Sequence, residues 1–336
     1  MDRREFLTTG GSLILGSMGI TNLLKASSLT KRPIYAGWLP NKASTKRFKA
    51  VNPVPYFRQA AKHLAGTGAG KRAFLWKYME AVTKKPVDPH DQGIGDCVSQ
   101  GWGLGVDILD CVQIAHGRGE WKTTCATEPI YAGGRVEIGK GQIIGDGMHG
   151  TWAADWCRLW GILLRQAYLD GKYDFTNYSG AKARRWAHIC RRCTEWGGGV
   201  PDELEPFAKE HPVKTTTLVK TWEEARDAVC NGYPVAICSN VGFKSERDVD
   251  GFAQRDGKWY HCMLLAGVDD SIRRSGGLMM NSWGPDWISG PTRFDQPTGS
   301  FWADASVIDH MLSQEDSFAL STYIGYPRQH LDYHLY

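Results

Sequence analysis

Two short segments, far apart in the chain, carry polar residues whose chemistry requires the fold to bring them together. In the first segment, Gln92 precedes Cys97 by five positions, and Cys97 opens a pattern typical of a helix. In the second, His261 opens an apolar run, and Asn281 begins an Asn-Ser-Trp-Gly sequence twenty positions later. Because 164 positions separate Cys97 from His261, the start of a helix must meet a much later strand.

Each of these residue types has a separate chemical role in acyl transfer. A thiol attacks a carbonyl as the thiolate, and a helix N-terminus together with an imidazolium is predicted to lower the pKa of Cys97. His261 is predicted to act as general acid and base, with the amide oxygen of Asn281 orienting its ring. Gln92 is predicted to donate to the oxyanion of the tetrahedral intermediate, beside the backbone N–H of Cys97. Together the four residues predict a thiol acyl-transfer site.

The residues that follow Asn281 are predicted to support this site. Trp283 would shield the hydrogen bond between His261 and Asn281 from water. Ser282 lies between Asn281 and Trp283 in the sequence. Taken singly, each residue has a structural interpretation, since a lone cysteine that opens a helix is more often a small buried apolar residue. A lone histidine at the start of a strand is also more often structural. The ordered combination favours catalysis.

The spacing of apolar residues predicts a helix-rich first half and a strand-rich second half. Helices are predicted over residues 72–83, 97–116, 151–160, 180–196 and 222–231. Strands are predicted over residues 213–219, 234–239, 262–267 and 278–281. This order of elements indicates an α+β protein.

The motifs and their surroundings resemble the papain-like cysteine protease superfamily, in a distant bacterial or phage-like branch. The resemblance rests on the approach to the nucleophile at 86–97, a glycine loop and helix at 145–162, and a helix and strand at 223–237. It covers roughly residues 86–325, apart from a divergent stretch at 168–212. It implies a two-lobed α+β fold, with a helical left domain, an antiparallel β-barrel right domain and the active-site cleft between them. It implies no metal or organic cofactor.

Three positions depart from the family's pattern. Ile94 stands where a disulfide-bonded cysteine is often found, and Val98 stands where an aromatic residue is usual. Gln92 lies five residues before Cys97, where six is typical. The family's helical pro-segment signature is not visible in residues 30–85.

The resemblance and the changes in composition predict five consecutive parts of the chain. They are an export signal (1–28), an N-terminal extension that is a spacer, an arm or a pro-segment (29–85), a helical left domain with the nucleophile (86–170), a divergent helical insertion or crossover (171–212) and a β-rich right domain with the histidine and asparagine (213–336).

The N-terminus is predicted to be an export signal. Arg3 and Arg4 precede a mildly apolar, glycine-rich stretch over residues 9–24, a pattern similar to twin-arginine signals. It predicts export to the periplasm or the extracellular space, with virion or cell-surface association as an alternative location. A frayed amphipathic helix is the alternative structural interpretation. Because no later segment offers eighteen uninterrupted apolar residues, we expect no stable membrane insertion after removal of the signal.

Composition narrows the remaining function classes. Hydrophobic residues at 42% and charged residues at 23% are ordinary for a globular protein, and the net charge of +4 is spread along the chain, so no nucleic-acid partner is predicted. Nine cysteines leave at least one unpaired within an exported chain, and a catalytic thiol accounts for it. Cys190 and Cys193 form a lone C-x-x-C pair without two further ligands at recognisable spacing, so no metal site is predicted.

These observations predict a papain-like cysteine peptidase that hydrolyses peptide bonds through an acyl-enzyme on Cys97. Its partner would be a protein or peptide substrate. Two alternatives stay open. The first is a cell-wall amide hydrolase or an acyltransferase that uses the same residues. The second is a non-catalytic papain-like binding module of a surface or virion assembly.

Overall fold

The computed structural model describes residues 35–188, 198–271 and 273–332. The predicted export signal and the pair Cys190 and Cys193 lie outside these described residues. The predicted helix over 180–196 falls partly outside them as well. Its described part runs from Gly180 to Trp186.

The helices of the described chain lie mostly in its first two thirds. They are α1 (Lys42–Val51), α2 (Phe57–Ala60), α3 (Trp76–Thr83), α4 (Cys97–Ala115), α5 (Thr127–Gly133), α6 (Gly150–Leu159), α7 (Gly180–Trp186), α8 (Glu205–Ala208), α9 (Trp222–Val229) and α10 (Ala305–Leu312). A π-helical turn at Gly134–Ile138 extends α5. No helix of the described ranges is long and apolar enough to span a bilayer.

The strands form one large antiparallel sheet and one short hairpin. They are β1 (Arg72–Phe74), β2 (Ala167–Tyr168), β3 (Tyr173–Asp174), β4 (Thr215–Leu218), β5 (Val235–Arg247), β6 (Ala253–Asp269), β7 (Gly276–Met280), β8 (Phe301–Asp304) and β9 (Phe318–Ser321). The large sheet has the order β4-β9-β5-β6-β7-β8, with β1 also paired to β6.

The large sheet belongs to the predicted antiparallel β-barrel domain. The sheet is antiparallel as predicted, but β4 and β8 stand at opposite ends of its order and do not pair with each other. These end strands have four residues each. Beyond its ladder with β9 or β7, each makes one isolated bridge: Leu218 of β4 pairs with Tyr56, and Trp302 of β8 pairs with Phe252. The α+β class is therefore confirmed, and no pairing between β4 and β8 closes the sheet in the described part of the chain.

The central helix α4 packs directly against the central strand β6. A Cβ atom placed on Gly101 would lie 3.2 Å from Cys262 Sγ, and one on Gly105 would lie 3.0 Å from a methyl carbon of Leu264. Small residues on this face let the strand approach closely, and the packing offsets the poor helix propensity of glycine. The position of Cys97 at the start of α4 is thus fixed by burial of the whole helix.

The N-terminal extension is built into the body at its C-terminal end. The predicted helix over 72–83 begins instead as strand β1, with Ala73 opposite Val268 of β6. Residues 72–74 pair with the C-terminal end of β6 as a short antiparallel strand. Helix α3 begins only at Trp76. Further upstream, Asn41 caps α1 by accepting a hydrogen bond from the Ser44 N–H at 3.0 Å, as expected of an N-cap asparagine.

The hairpin of β5 and β6 is much longer than predicted. The apolar runs at 234–239 and 262–267 are its inner ends, and the strands continue through residues that are polar and exposed. Periodicity could not reveal this outer part, because its side chains face solvent. The hairpin places His261 inside a continuous strand.

Candidate active site

His261 and Asn281 meet through a hydrogen bond between neighbouring strands. His261 Nε2 lies 2.7 Å from Asn281 Oδ1, and the same oxygen accepts the backbone N–H of Ser282 at 2.7 Å. Since this oxygen is an acceptor, Nε2 carries the proton and Nδ1 is the basic nitrogen. His261 is fully buried, and its Nδ1 has no hydrogen-bond partner among the described residues.

Aromatic rings cover this histidine. The Trp283 ring centroid lies 4.5 Å from that of His261, and Trp259 and Trp287 pack on Trp283 at 4.7 and 5.4 Å. Trp283 was singled out by its place in the Asn-Ser-Trp-Gly sequence. Sequence reasoning missed Trp259 and Trp287, although their spacing around His261 and Trp283 was the available signal.

Cys97 begins α4, beside the strand that carries His261. The backbone groups of Cys262 and Gly37 are placed to hydrogen-bond its thiol. The structure thus puts Cys97 next to the residue that follows His261, but records no hydrogen bond between the thiol and His261 Nδ1.

Asp96, the residue before Cys97, does not cap α4 with its side chain. Asp96 instead turns its carboxylate to Gln100 Nε2 at 2.8 Å and to the Tyr178 hydroxyl at 3.0 Å, both of which donate to it. Its other oxygen is buried without a hydrogen-bond partner in the described chain. Burial raises the pKa of Asp96, the residue before Cys97, to about 7.

The predicted activation of the thiol is absent from this conformation. Burial, with the nearby Cys262 thiol as a lesser cause, raises the pKa of Cys97 well above its usual range. Burial also lowers the pKa of His261 to about 4, against the raising effect of its bond to Asn281. Both shifts favour the neutral form of the group, because burial removes the water that would solvate the charge.

Gln92 is buried and fully engaged. Its amide nitrogen donates to Ile94 O at 2.7 Å and to Tyr35 O at 3.1 Å, and its amide oxygen accepts the Ser282 hydroxyl at 2.5 Å. Ser282 therefore ties the loop before Cys97 to the strand end that holds Asn281. One of the two amide protons of Gln92 is taken by Tyr35, a residue of the N-terminal extension.

Tyr35 belongs to a stretch, residues 35–39, that we call the covering segment. Its backbone bonds to both sides of the site. The N–H groups of Gly37 and Trp38 donate to Tyr260 O at 3.2 and 2.9 Å, while Met148 N donates to Gly37 O at 2.8 Å and Leu39 N donates to Met148 O at 3.0 Å. The covering segment thus lies between the residue before His261 and the loop before α6.

Gly37 lies tightly against the loop that precedes Cys97. A Cβ atom on Gly37 would come within 2.1 Å of the Gly95 carbonyl oxygen, a separation that no side chain tolerates. Gly95 lies two residues before Cys97, and Cys97 is completely buried. The Cys97 thiol is therefore closed off from solvent while the covering segment is in place.

Two further contacts hold the covering segment down. The Trp38 indole N–H donates to the buried carboxylate of Asp316 at 2.7 Å. His149 Nδ1 donates to Leu39 O at 2.6 Å, and its Nε2 accepts from Asn41 Nδ2 at 3.0 Å. Sequence reasoning singled out none of these residues, because they are spread over nearly 280 positions.

Tyr260 carries backbone strain at the site. Its φ of 52° lies in the left-handed region, which is unfavourable for an aromatic residue. The strained conformation belongs to the residue whose carbonyl accepts both N–H groups of the covering segment, and its ring stacks on Trp38 with centroids 6.3 Å apart. Such strain is found where a backbone group must be held in one direction for binding.

The fold is similar to those of known cysteine proteases. Xylellain, a cysteine protease from Xylella fastidiosa, aligns with a TM-score of 0.54 at 16% identity, over 88% of this chain and 100% of xylellain. Procathepsin B S9 from Trypanosoma congolense aligns with a TM-score of 0.51 at 13% identity, over 86% of each chain. No protein-family model and no curated protein matches the chain. The chain therefore has the papain-like fold, as its sequence motifs predicted.

Proposed function

We propose that this chain is a cysteine-type peptidase that hydrolyses peptide bonds through an acyl-enzyme on Cys97. The observation that carries the proposal is the 2.7 Å contact of His261 Nε2 with Asn281 Oδ1. It leaves the second ring nitrogen of His261 as a base, in the strand against which the Cys97 thiol packs. A histidine with a nucleophile on one side and an orienting amide on the other is the arrangement that acyl transfer requires.

In the proposed reaction, His261 Nδ1 takes the thiol proton and the Cys97 sulfur attacks the carbonyl carbon of the substrate. The oxyanion is stabilised by the backbone N–H of Cys97 and by an amide proton of Gln92. His261 then gives its proton to the leaving amine as the C–N bond breaks, which leaves a thioester on Cys97. Water, deprotonated by His261, hydrolyses the thioester and restores the thiol.

The proposal includes a resting form, which is the conformation described above. The covering segment buries Cys97, and Tyr35 takes the Gln92 amide proton that an oxyanion would use. Displacement of residues 35–39 would admit water and substrate, return the pKa values of Cys97 and His261 toward their ordinary range, and free one donor of Gln92.

Labelling of the full chain with a thiol-reactive epoxide at pH 7 tests this proposal. Gly37→Ala is used to displace the covering segment, and we expect selective labelling of Cys97 that disappears in the double variant with His261→Ala. Cys157→Ala, which removes a buried thiol of α6 away from the site, should leave the labelling unchanged. If Cys97 reacts no faster than the other cysteines in the Gly37→Ala chain, a catalytic role for it is wrong.

A peptide library then separates the proposed reaction from its alternatives. Cleavage that is lost in Cys97→Ala supports the peptidase. Transfer to an added amine in place of hydrolysis would indicate an acyltransferase. Binding of peptides without any turnover, together with unselective labelling, would indicate the non-catalytic module.

A further inference from the structure

A single tyrosine hydroxyl bridges the two ends of the loop before Cys97. Gly93 follows Gln92, and Asp96 precedes Cys97. The Tyr178 hydroxyl accepts the Gly93 N–H at 3.1 Å and donates its own proton to Asp96 Oδ2 at 3.0 Å. One oxygen atom therefore links the two residues that adjoin the proposed oxyanion donors.

A second contact from the same part of the chain reaches this loop. Asp146 Oδ2 accepts the Gly95 N–H at 3.3 Å, and its two carboxylate oxygens accept Arg184 Nε at 3.0 Å and Nη2 at 2.6 Å. A Cβ atom on Gly180 would lie 3.0 Å from Ile94 Cγ2, so the start of α7 also packs on the loop. No disulfide among the described residues helps to hold it.

Tyr178 is itself held in place from behind. The buried Glu128 carboxylate of α5 accepts the Ser179 N–H at 2.9 Å and pairs with Arg165 at 3.1 Å. The Arg165 guanidinium lies over the Tyr178 ring, 5.9 Å from its centroid. A side chain supported in this way keeps its hydroxyl in one direction, as is required of a group that positions others.

The two oxyanion donors can act together only if the loop between them keeps one width. Donors stabilise an oxyanion when they are in place before its charge develops, and a displacement of about 1 Å can cost on the order of a hundredfold in rate. Gly93 and Gly95 are the flexible points of this loop. Their N–H groups are the ones that Tyr178 and Asp146 hold.

We propose that Tyr178 is a positioning residue for oxyanion stabilisation, which fixes the separation of Gln92 from the Cys97 N–H. Arg184 supports the same loop through Asp146. Neither side chain touches the substrate, and both act through the loop. The inference rests on the proposed peptidase function, and it gives a role to the divergent part of the chain, to which the resemblance assigns none.

Tyr178→Phe removes only the hydroxyl and tests the proposal in the full-length Gly37→Ala chain. We expect kcat for peptide hydrolysis to fall roughly tenfold to a hundredfold while KM stays within about twofold, because misplaced donors act mainly on the transition state. Tyr168→Phe is the matched control, since its hydroxyl accepts a different backbone N–H, that of Leu164, at 2.7 Å. An unchanged kcat in Tyr178→Phe, or an equal fall in both variants, overturns the proposal.

A double-mutant cycle separates positioning from structure. In a Gln92→Ala background, one of the two donors that Tyr178 positions is gone, so Tyr178→Phe should lower kcat by a much smaller factor than it does with Gln92 present. A merely structural role of Tyr178 would give the same factor in both backgrounds, together with a lower thermal midpoint.

Arg184→Ala keeps the inference testable if Tyr178→Phe does not fold. The Arg184 side chain is exposed, so loss of its pair with Asp146 costs little stability, while kcat should fall severalfold with KM unchanged. Arg185→Ala, at the exposed neighbouring position of α7, is the control. Equal kcat values for these two variants overturn the positioning role and leave the peptidase standing. Absence of cleavage in the Gly37→Ala chain itself removes the peptidase and the inference with it.

Discussion

Gly37 lies so close to Gly95 that a methyl group on Gly37 would come within 2.1 Å of the Gly95 carbonyl oxygen. The contact is between two backbones, so neither side can yield by turning a side chain. It fits the covering segment against the loop that precedes the nucleophile, and it makes Gly37 a position where a single methyl group changes access to Cys97.

We therefore predict that Gly37→Ala exposes the nucleophile. Labelling of Cys97 by iodoacetamide at pH 7 should be at least about tenfold faster than in the unmodified chain, because the thiol leaves a fully buried environment. Gly93→Ala is the matched control. The nearest atom to an added Cβ at Gly93 is 3.9 Å away, so its labelling rate should not change. Equal rates for the two variants would show that the covering segment does not limit access.

Removal of the orienting amide should lower the rate of catalysis. In the Gly37→Ala background, we expect Asn281→Ala to reduce kcat/KM on the order of a hundredfold or more, since His261 loses the partner that fixes its tautomer and direction. Asn281→Asp keeps an oxygen acceptor and should retain more activity than Asn281→Ala. The measurement is steady-state hydrolysis of a peptide substrate, and the reverse order of the two variants would contradict the role of Asn281.

Gln92 offers a test of the oxyanion site. Gln92→Ala is expected to lower kcat roughly a hundred- to thousandfold with little change in KM, since a donor to the developing charge acts mainly in the transition state. Gln92 also bonds to Ser282 and Ile94, so the thermal midpoint is measured in parallel. A fall in the midpoint with kcat unchanged would assign Gln92 to structure alone.

The raised pKa of Asp96 leads us to predict that the stability of the fold depends on pH. Its pKa is raised by burial to about 7, against about 3.9 for a free aspartate, so folding takes up a proton between these two values. The contribution of Asp96 to stability therefore falls as pH rises from about 4 to 7. The side chain of Asp96→Asn does not titrate, so this variant lacks the loss of stability that Asp96 causes. As pH rises over this window, the free energy of unfolding of Asp96→Asn minus that of the unmodified chain should therefore increase. The increase is up to a few kcal/mol, at about 1.4 kcal/mol per pKa unit. Urea unfolding at pH 5 and pH 8 checks the sign, and a difference that is constant with pH would refute it.

The predicted export signal can be tested although it lies outside the described residues. We expect the change of Arg3 and Arg4 to lysine to retain the protein in the cytoplasm, because the arginine pair defines the twin-arginine class of signal. The control is a variant with Lys31→Ala and Arg32→Lys, two changes that lie beyond the predicted signal. Efficient export of the double-lysine variant, measured by cell fractionation, would exclude the twin-arginine route.

Sequence patterns were sufficient for the elements whose residues repeat with a regular period. The helix from Cys97 and the strands around His261 and Met280 follow from apolar spacing, and the pairing of His261 with Asn281 follows from motif order. The covering segment could not be predicted in the same way. Gly37 and Trp38 have no periodicity, and their partners Tyr260 and Asp316 are more than 200 positions away.

The attachment of the covering segment at its C-terminal side has a quantitative consequence. Residues 42–51 form α1, and β1 is paired to β6 further along, so a displaced segment stays tethered to the molecule it blocks. A tethered ligand acts at an effective concentration that does not depend on dilution and is on the order of millimolar for a short link. Peptide substrates would then compete against an internal ligand whose effective concentration is constant. Cleavage of the backbone on either side of Trp38 would therefore change the rate of turnover more than any change in protein concentration.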